Sequence, residues 1–217
     1  MQSPLSLQVR APDATATRTH ARLSVRLREE TRLEHKSVEA ACGLPGAVRH
    51  LSDYSSCLLD FYGIFSPIER HIATFTECSY LGLSMQKRAR VPYLQQDLRL
   101  LNVDPDSWRE APAQALPALP QFAFALGALY VLEGSTLGGQ IIMSALQAQL
   151  RIPVDIPGGF FAGRGEQTGP LWNEFRDALD VYGQQYPEAS ADVIVGAKRT
   201  FDAIGNWFNE NNNRFSS

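Results

Sequence analysis

The chain has 217 residues, enough for one domain with a full hydrophobic core, and its 20 basic against 23 acidic residues leave a formal net charge of −3. No long run of either sign occurs, so a nucleic-acid surface is not expected. The longest apolar run, Phe122 to Leu132, stops at Glu133 after eleven residues, short of the ~20 that span a bilayer, so no membrane partner is expected either.

Residues 1–22, which include His20, lack a basic start followed by an apolar block and read as a loose tail, leaving residues 23–217 as the domain. From Leu23 to Cys42 the pattern is helical: Leu27, Thr31, His35, Val38 and Cys42 recur at spacings of four, four, three and four, which puts His35 on the inward face. Gly43 to Gly46 end that helix, and Ser52 or Asp53 can cap the next. This next helix carries Tyr54, Cys57, Leu58, Phe61, Phe65, Ile68, Ile72 and Phe75 at helical spacing and belongs in the core. Ser84 to Leu101 reads as a more polar helix, and Asp104 to Pro120, with four prolines, as loop.

Leu126 to Leu146 then forms one long apolar helix with Gly134, Gly138 and Gly139 in its middle. Each glycine costs a helix roughly 1 kcal/mol relative to Ala, so the three need another use. Gly134 and Gly138 are one turn apart and leave a bare strip, which suits either a closely crossing helix or a planar cofactor. Pro153 to Pro170 is a long irregular connection anchored by Phe160 and Phe161; helices over Leu171 to Tyr186 and about Ser190 to Asn209 follow, the last with Ile194, Ala197, Phe201, Ile204 and Phe208 on one face. No strand and no internal repeat is found, so the fold class is all-α. Cys42, Cys57 and Cys78 have no metal-type spacing and cannot all pair, which fits free thiols in a reducing cytoplasm.

His35 alone reads more readily as a hydrogen-bonded core residue than as a metal ligand. Glu39, one turn on, can reach its Nδ1 proton and leave Nε2 free for a metal. Arg28 lies two turns before it, ~10 Å along the axis on nearly the same face. His50 and His71 are alternative ligands, but Glu69-Arg70-His71-Ile72 does not supply the carboxylate–histidine pairs of a di-iron bundle. Trp172 and Trp207 read as core. Lys198, at the edge of the last helix's apolar face, reads in the first instance as a snorkelling side chain.

Residues 27 to 39, Leu-Arg-Glu-Glu-Thr-Arg-Leu-Glu-His-Lys-Ser-Val-Glu, resemble the proximal helix of haem oxygenases. Residues 129 to 139, Leu-Tyr-Val-Leu-Glu-Gly-Ser-Thr-Leu-Gly-Gly, resemble the distal helix of their bacterial members, and Ala197 to Phe201 the final helix. The resemblance runs from about Leu23 to Phe208. It implies a single helical bundle with haem b between the proximal helix and the Gly134–Gly139 stretch, His35 as iron ligand and Glu39 orienting it. Arg28, Tyr130, Lys198 and, more weakly matched, Arg176 would meet the propionates; Phe201, Gly134, Gly138 and Gly139 would line the haem. Gly134, Ser135 and Gly138 would form the catalytic distal wall. Ser135 stands where animal members carry an aspartate that anchors water.

The activity implied is oxidative cleavage of haem to biliverdin, its alpha isomer, with ferrous iron and carbon monoxide as the other products. O2 and an external electron donor, a reductase or ferredoxin, would drive it, and a bilin-accepting photoreceptor is a possible partner. A distal side built from backbone and water, without His or Arg, suits such chemistry. Two competitors are a haem-binding or storage protein without turnover and a cofactor-free helical interaction protein.

Overall fold

A computed structural model describes residues 21–150 and 159–214. The tail with His20, and the part of the expected connection at 153–158, lie outside the described residues. Every regular element among those described is helical. We number them α1 (Leu23–Glu30), α2 (Arg32–Cys42), α3 (Leu51–Ile72), α4 (Glu77–Tyr80), α5 (Met85–Arg88), α6 (Val91–Leu100), α7 (Phe122–Leu150), α8 (Gly159–Ala162), α9 (Thr168–Gln185) and α10 (Ser190–Arg214).

The expected single helix over residues 23 to 42 is broken at Thr31. Its φ of −107° leaves the helical region, while its hydroxyl donates back to the Leu27 carbonyl at 2.7 Å. A threonine bonded to its own preceding turn bends a helix, and here the bend separates α1 from α2. Leu27 and Thr31 are buried, as the spacing predicts, but α2 buries no residue and the His35 side chain is 55% exposed, contrary to the inward placement. The helix that α2 packs against most is α10, and α2 lies along one edge of it. Gly43, at φ +61°, ends α2 with its amide donating to the Glu39 carbonyl. Asp53 caps α3 from inside its first turn, accepting the Arg49 and His50 amides at 2.9 and 3.0 Å.

The polar helix expected over residues 84 to 101 is two helices, α5 and α6, because Pro92 in the first turn of α6 fits only a fresh start. The proline-rich stretch is loop with two short 3-10 turns. Helix α7 runs through the centre of the molecule. It is apolar and long enough to cross a bilayer, yet 67% of its most apolar window is buried within the fold, so its apolar surface is used by neighbouring helices. α10 crosses it so closely that a Cβ on Gly127 or Gly196 would overlap the backbone of Val193 or Phe124. The close helix crossing therefore sits two turns before Gly134. Phe160 and Phe161 are buried anchors, as the composition of their segment predicts.

Asp97 secures that segment. Its two oxygens accept the amides of Gly159 and Phe160 at 3.0 and 2.9 Å, and burial pushes its carboxyl up to about 6 against those two hydrogen bonds. The sign is that of a raised acid. The folded state holds the proton more tightly than the unfolded chain, so this group's contribution is present at low pH and is lost as pH rises through 6. Wild type is expected to gain on the order of 2 kcal/mol from Asp97 on going from pH 7 to below pH 5, relative to Asp97→Asn. Chemical denaturation of both proteins across that range checks it; parallel pH profiles would refute it.

Candidate functional site

The Thr31 side chain, at the start of α2, lies close enough to the Tyr130 phenol of α7 to act on it. This proximity relates the two helices that the sequence singles out. His35 is four residues past Thr31 and Gly134 four residues past Tyr130, so ligand candidate and glycine strip each lie one turn beyond the contact, on the faces that the contact defines. Arg28 and Arg176 act on the same phenol: burial pushes the Tyr130 hydroxyl up, opposed by the Thr31 side chain and the two positive fields. The structure therefore gathers Arg28, Tyr130 and Arg176 into one cationic end, from α1, α7 and α9.

On the α2 side, the His35 ring meets the Phe201 ring edge-on, with centroids 5.5 Å apart, and Phe201 is itself buried. Glu39 comes within 3.8 Å of Nε2. That is the other nitrogen from the one expected, and the separation is too long for a hydrogen bond. Lys198 also departs from expectation: its ammonium is paired with Glu34 at 2.9 Å, one residue before His35, so it fastens α10 to α2. Burial raises the Glu34 carboxyl, but the Lys198 contact more than offsets this and holds it below the usual range.

On the α7 side, a Cβ on Gly138 would meet nothing within 4 Å among the described residues, and one on Gly134 would meet only the Trp172 ring, at 3.9 Å. Gly139, one residue on, faces the other way; its Cβ would lie 2.5 Å from the Phe161 carbonyl oxygen. It is a packing glycine that lets α8 touch α7, not part of the open strip. The Ser135 hydroxyl donates to Leu132 in its own helix at 2.7 Å, as Thr136 does to Glu133. His71 is held by the Leu119 carbonyl at 3.1 Å, and His50 precedes the first turn of α3; neither joins the group around His35.

A half-exposed imidazole, a buried aromatic beside it, a bare backbone strip and a cationic end fit a flat ligand that carries a metal and acidic side chains. The sequence profile of the heme oxygenase family matches residues 21–210. The chain belongs to the heme oxygenase family. Its members are O2-dependent, haem-degrading oxidoreductases. A heme oxygenase of Xanthomonas campestris pv. campestris (strain 8004) is 29% identical over 148 residues, 68% of this chain and 84% of that one. The fold is similar to that of heme oxygenase from Neisseria meningitidis, solved with NO and CO bound, with a TM-score of 0.70 at 23% identity over 88% of this chain and 92% of that one. Heme oxygenase-1 from the cyanobacterium Synechocystis sp. PCC6803, solved in complex with heme, gives a TM-score of 0.70 at 20% identity over 90% and 95%.

Behind the glycine strip lies a charge cluster that reading the sequence did not find. Glu133 is 1% exposed; one oxygen accepts from Arg88 at 2.7 Å and the other from Arg164 at 3.0 Å. Arg164 also donates to the Arg88 carbonyl. Arg90 stacks on Phe160 with its guanidinium carbon 4.5 Å from the ring centroid, and burial lowers its pKa to about 10. A run such as Lys87-Arg88-Ala89-Arg90 normally reads as a solvated face. The available signal was Glu133, a lone carboxylate ending an apolar run, which inside a core requires a cationic partner. Glu133→Gln leaves two buried guanidiniums without their shared counter-charge and is expected to cost about 3–5 kcal/mol, read as a lower urea midpoint. A midpoint equal to wild type would contradict this account.

Proposed function

We propose that this chain cleaves haem to biliverdin, its alpha isomer, with release of ferrous iron and carbon monoxide. O2 and an external reductase or ferredoxin-type donor supply the oxidant and electrons. The observation that carries the reading is the bare strip on α7, where a Cβ on Gly138 would meet nothing within 4 Å among the described residues and one on Gly134 only the Trp172 ring. When bound, haem supplies the redox-active iron and is also the substrate. The residues of the chain do the rest.

His35 would offer its imidazole to the iron, and Phe201 restricts the ring's tilt. Arg28, Arg176 and the Tyr130 hydroxyl hold the acidic edge, which orients the macrocycle in its plane. Gly134 and Gly138 bring backbone rather than side chains to the opposite face, leaving room for O2 and water but no strong acid. The free cysteines support a reducing, cytoplasmic setting. A bilin-accepting photoreceptor is a fitting consumer of the product.

A second reading, haem binding or storage without turnover, rests on Ser135. Its proton is committed to Leu132, so no free side-chain donor stands on the strip where an aspartate would anchor water. Hemin titration followed by turnover with ascorbate, or with a ferredoxin system, separates the two. A Soret band with bilin formation supports the enzyme; a Soret band with intact haem after exhaustive reduction in air supports storage; no Soret band excludes both.

A further inference from the structure

The Arg88 side chain is 0% exposed, and its guanidinium spans three acceptors on two helices. Nη1 donates to Glu133 at 2.7 Å and to the Leu171 carbonyl at 3.1 Å, while Nη2 donates to Glu174 at 2.9 Å. Glu133 immediately precedes Gly134; Leu171 and Glu174 flank Trp172. One rigid planar group thus fixes the distance between the glycine strip and the Trp172 side chain. Arginine suits this because its donors keep a fixed fork geometry. The Trp172 ring lies at 3.9 and 4.0 Å from a Cβ built on Gly134, tilts 43° to Tyr130 with centroids 5.7 Å apart, and is backed by Phe175 at 6.0 Å.

We propose that Trp172 is a specificity-determining residue for the haem-cleaving reaction and that Arg88 is the positioning residue that sets it beside Gly134. The inference rests on the reading above. With the acidic edge of the macrocycle held by Arg28, Tyr130 and Arg176, the freedom left is a small in-plane rotation about the iron–His35 axis, within the reach of those three side chains. An indole standing beside the strip, next to Tyr130, is a flat apolar wall against that rotation. It thereby decides which bridging carbon lies under the exposed backbone. Nothing in this arrangement changes how the iron is held, so Trp172 should affect product identity more than haem affinity.

The test uses the full chain with bound haem, comparing wild type with Trp172→Phe and Trp172→Ala. Two readouts are needed: the biliverdin isomer ratio after turnover with ascorbate, and the haem methyl resonances of the cyanide-ligated ferric protein by proton NMR. Wild type should give one dominant isomer and one set of methyl resonances. Trp172→Ala should retain a Soret band, lower the ratio of major to minor isomer about tenfold, as pocket contacts of this size discriminate, and show a second set of methyl resonances, with Trp172→Phe between the two. Glu174→Gln, an exposed change that loosens the grip of Arg88 beside Trp172, should move both readouts the same way by less. If wild type makes bilin but Trp172→Ala gives its isomer ratio and its single set of resonances, this inference fails alone. If wild type binds haem and makes no bilin, the enzymatic reading fails and takes this inference with it. Should Trp172→Ala prove unfolded by circular dichroism, Trp172→Phe decides: a ratio and spectrum identical to wild type overturn the proposal.

Discussion

Gly134→Leu and Gly138→Leu are expected to fold, bind haem and make no bilin, whereas Gly127→Leu is expected not to fold. All three place the same side chain on the same helix. They differ in what opposes it. At Gly138 nothing lies within 4 Å among the described residues, and at Gly134 only the edge of Trp172 does, so the new leucines project into open space on the face proposed for O2 and water. There they would exclude both, while His35 and the cationic end still hold the haem. The expected signature is an intact Soret band, a stability change within about 1 kcal/mol beyond the gain from replacing a helical glycine, and reducing equivalents lost as free hydrogen peroxide. At Gly127 the first added carbon overlaps the Val193 carbonyl in the α7–α10 crossing, so the helices must separate and the loss exceeds the usual overpacking cost of 1–3 kcal/mol. Normal bilin yield from folded Gly138→Leu would refute the distal-wall assignment. A stable Gly127→Leu would refute the packing argument.

His35→Ala is expected to abolish the histidine-ligated spectrum and to lower bilin formation roughly 100-fold or more, since even the outer partners of a metal-ligating histidine are worth 10–100-fold. Added imidazole should restore part of both, because the half-exposed position of His35 beside Phe201 admits a small free ligand. Stability should barely change, as α2 buries no residue and the half-exposed His35 meets Phe201 by a ring edge and Glu39 only at 3.8 Å. An unchanged low-spin spectrum in His35→Ala would move the ligand elsewhere, with His71 and His50 next to be replaced.

Much of the candidate site was legible along the chain because each part of it is local. The repeat Leu27–Thr31 marks the buried face of α1, the Gly134–Gly138 spacing marks a face of α7, and Phe201 falls within the apolar face of α10. These follow from the 3.6-residue period alone. The break at Thr31 was not legible, because a threonine hydroxyl bonded to the preceding turn is compatible with either a continuous or a bent helix.

Local pattern determined that the chain is all-helical, that a histidine and a glycine strip sit on separate helices, and which residues share each face. Tertiary structure alone decided what stands opposite each face. Gly138 and Gly139 are neighbours in sequence, yet one is open and the other lies against the Phe161 backbone, because successive helical residues point about 100° apart. Lys198 could have met a ligand's acidic edge, but Glu34 lies within 2.9 Å and takes it. Arg88 reads as a surface charge and is fully buried, because Glu133, 45 residues away, supplies the counter-charge that makes its burial tolerable. Periodicity reports the direction of a side chain. The partner it meets comes from a distant part of the chain, and only folding brings the two together.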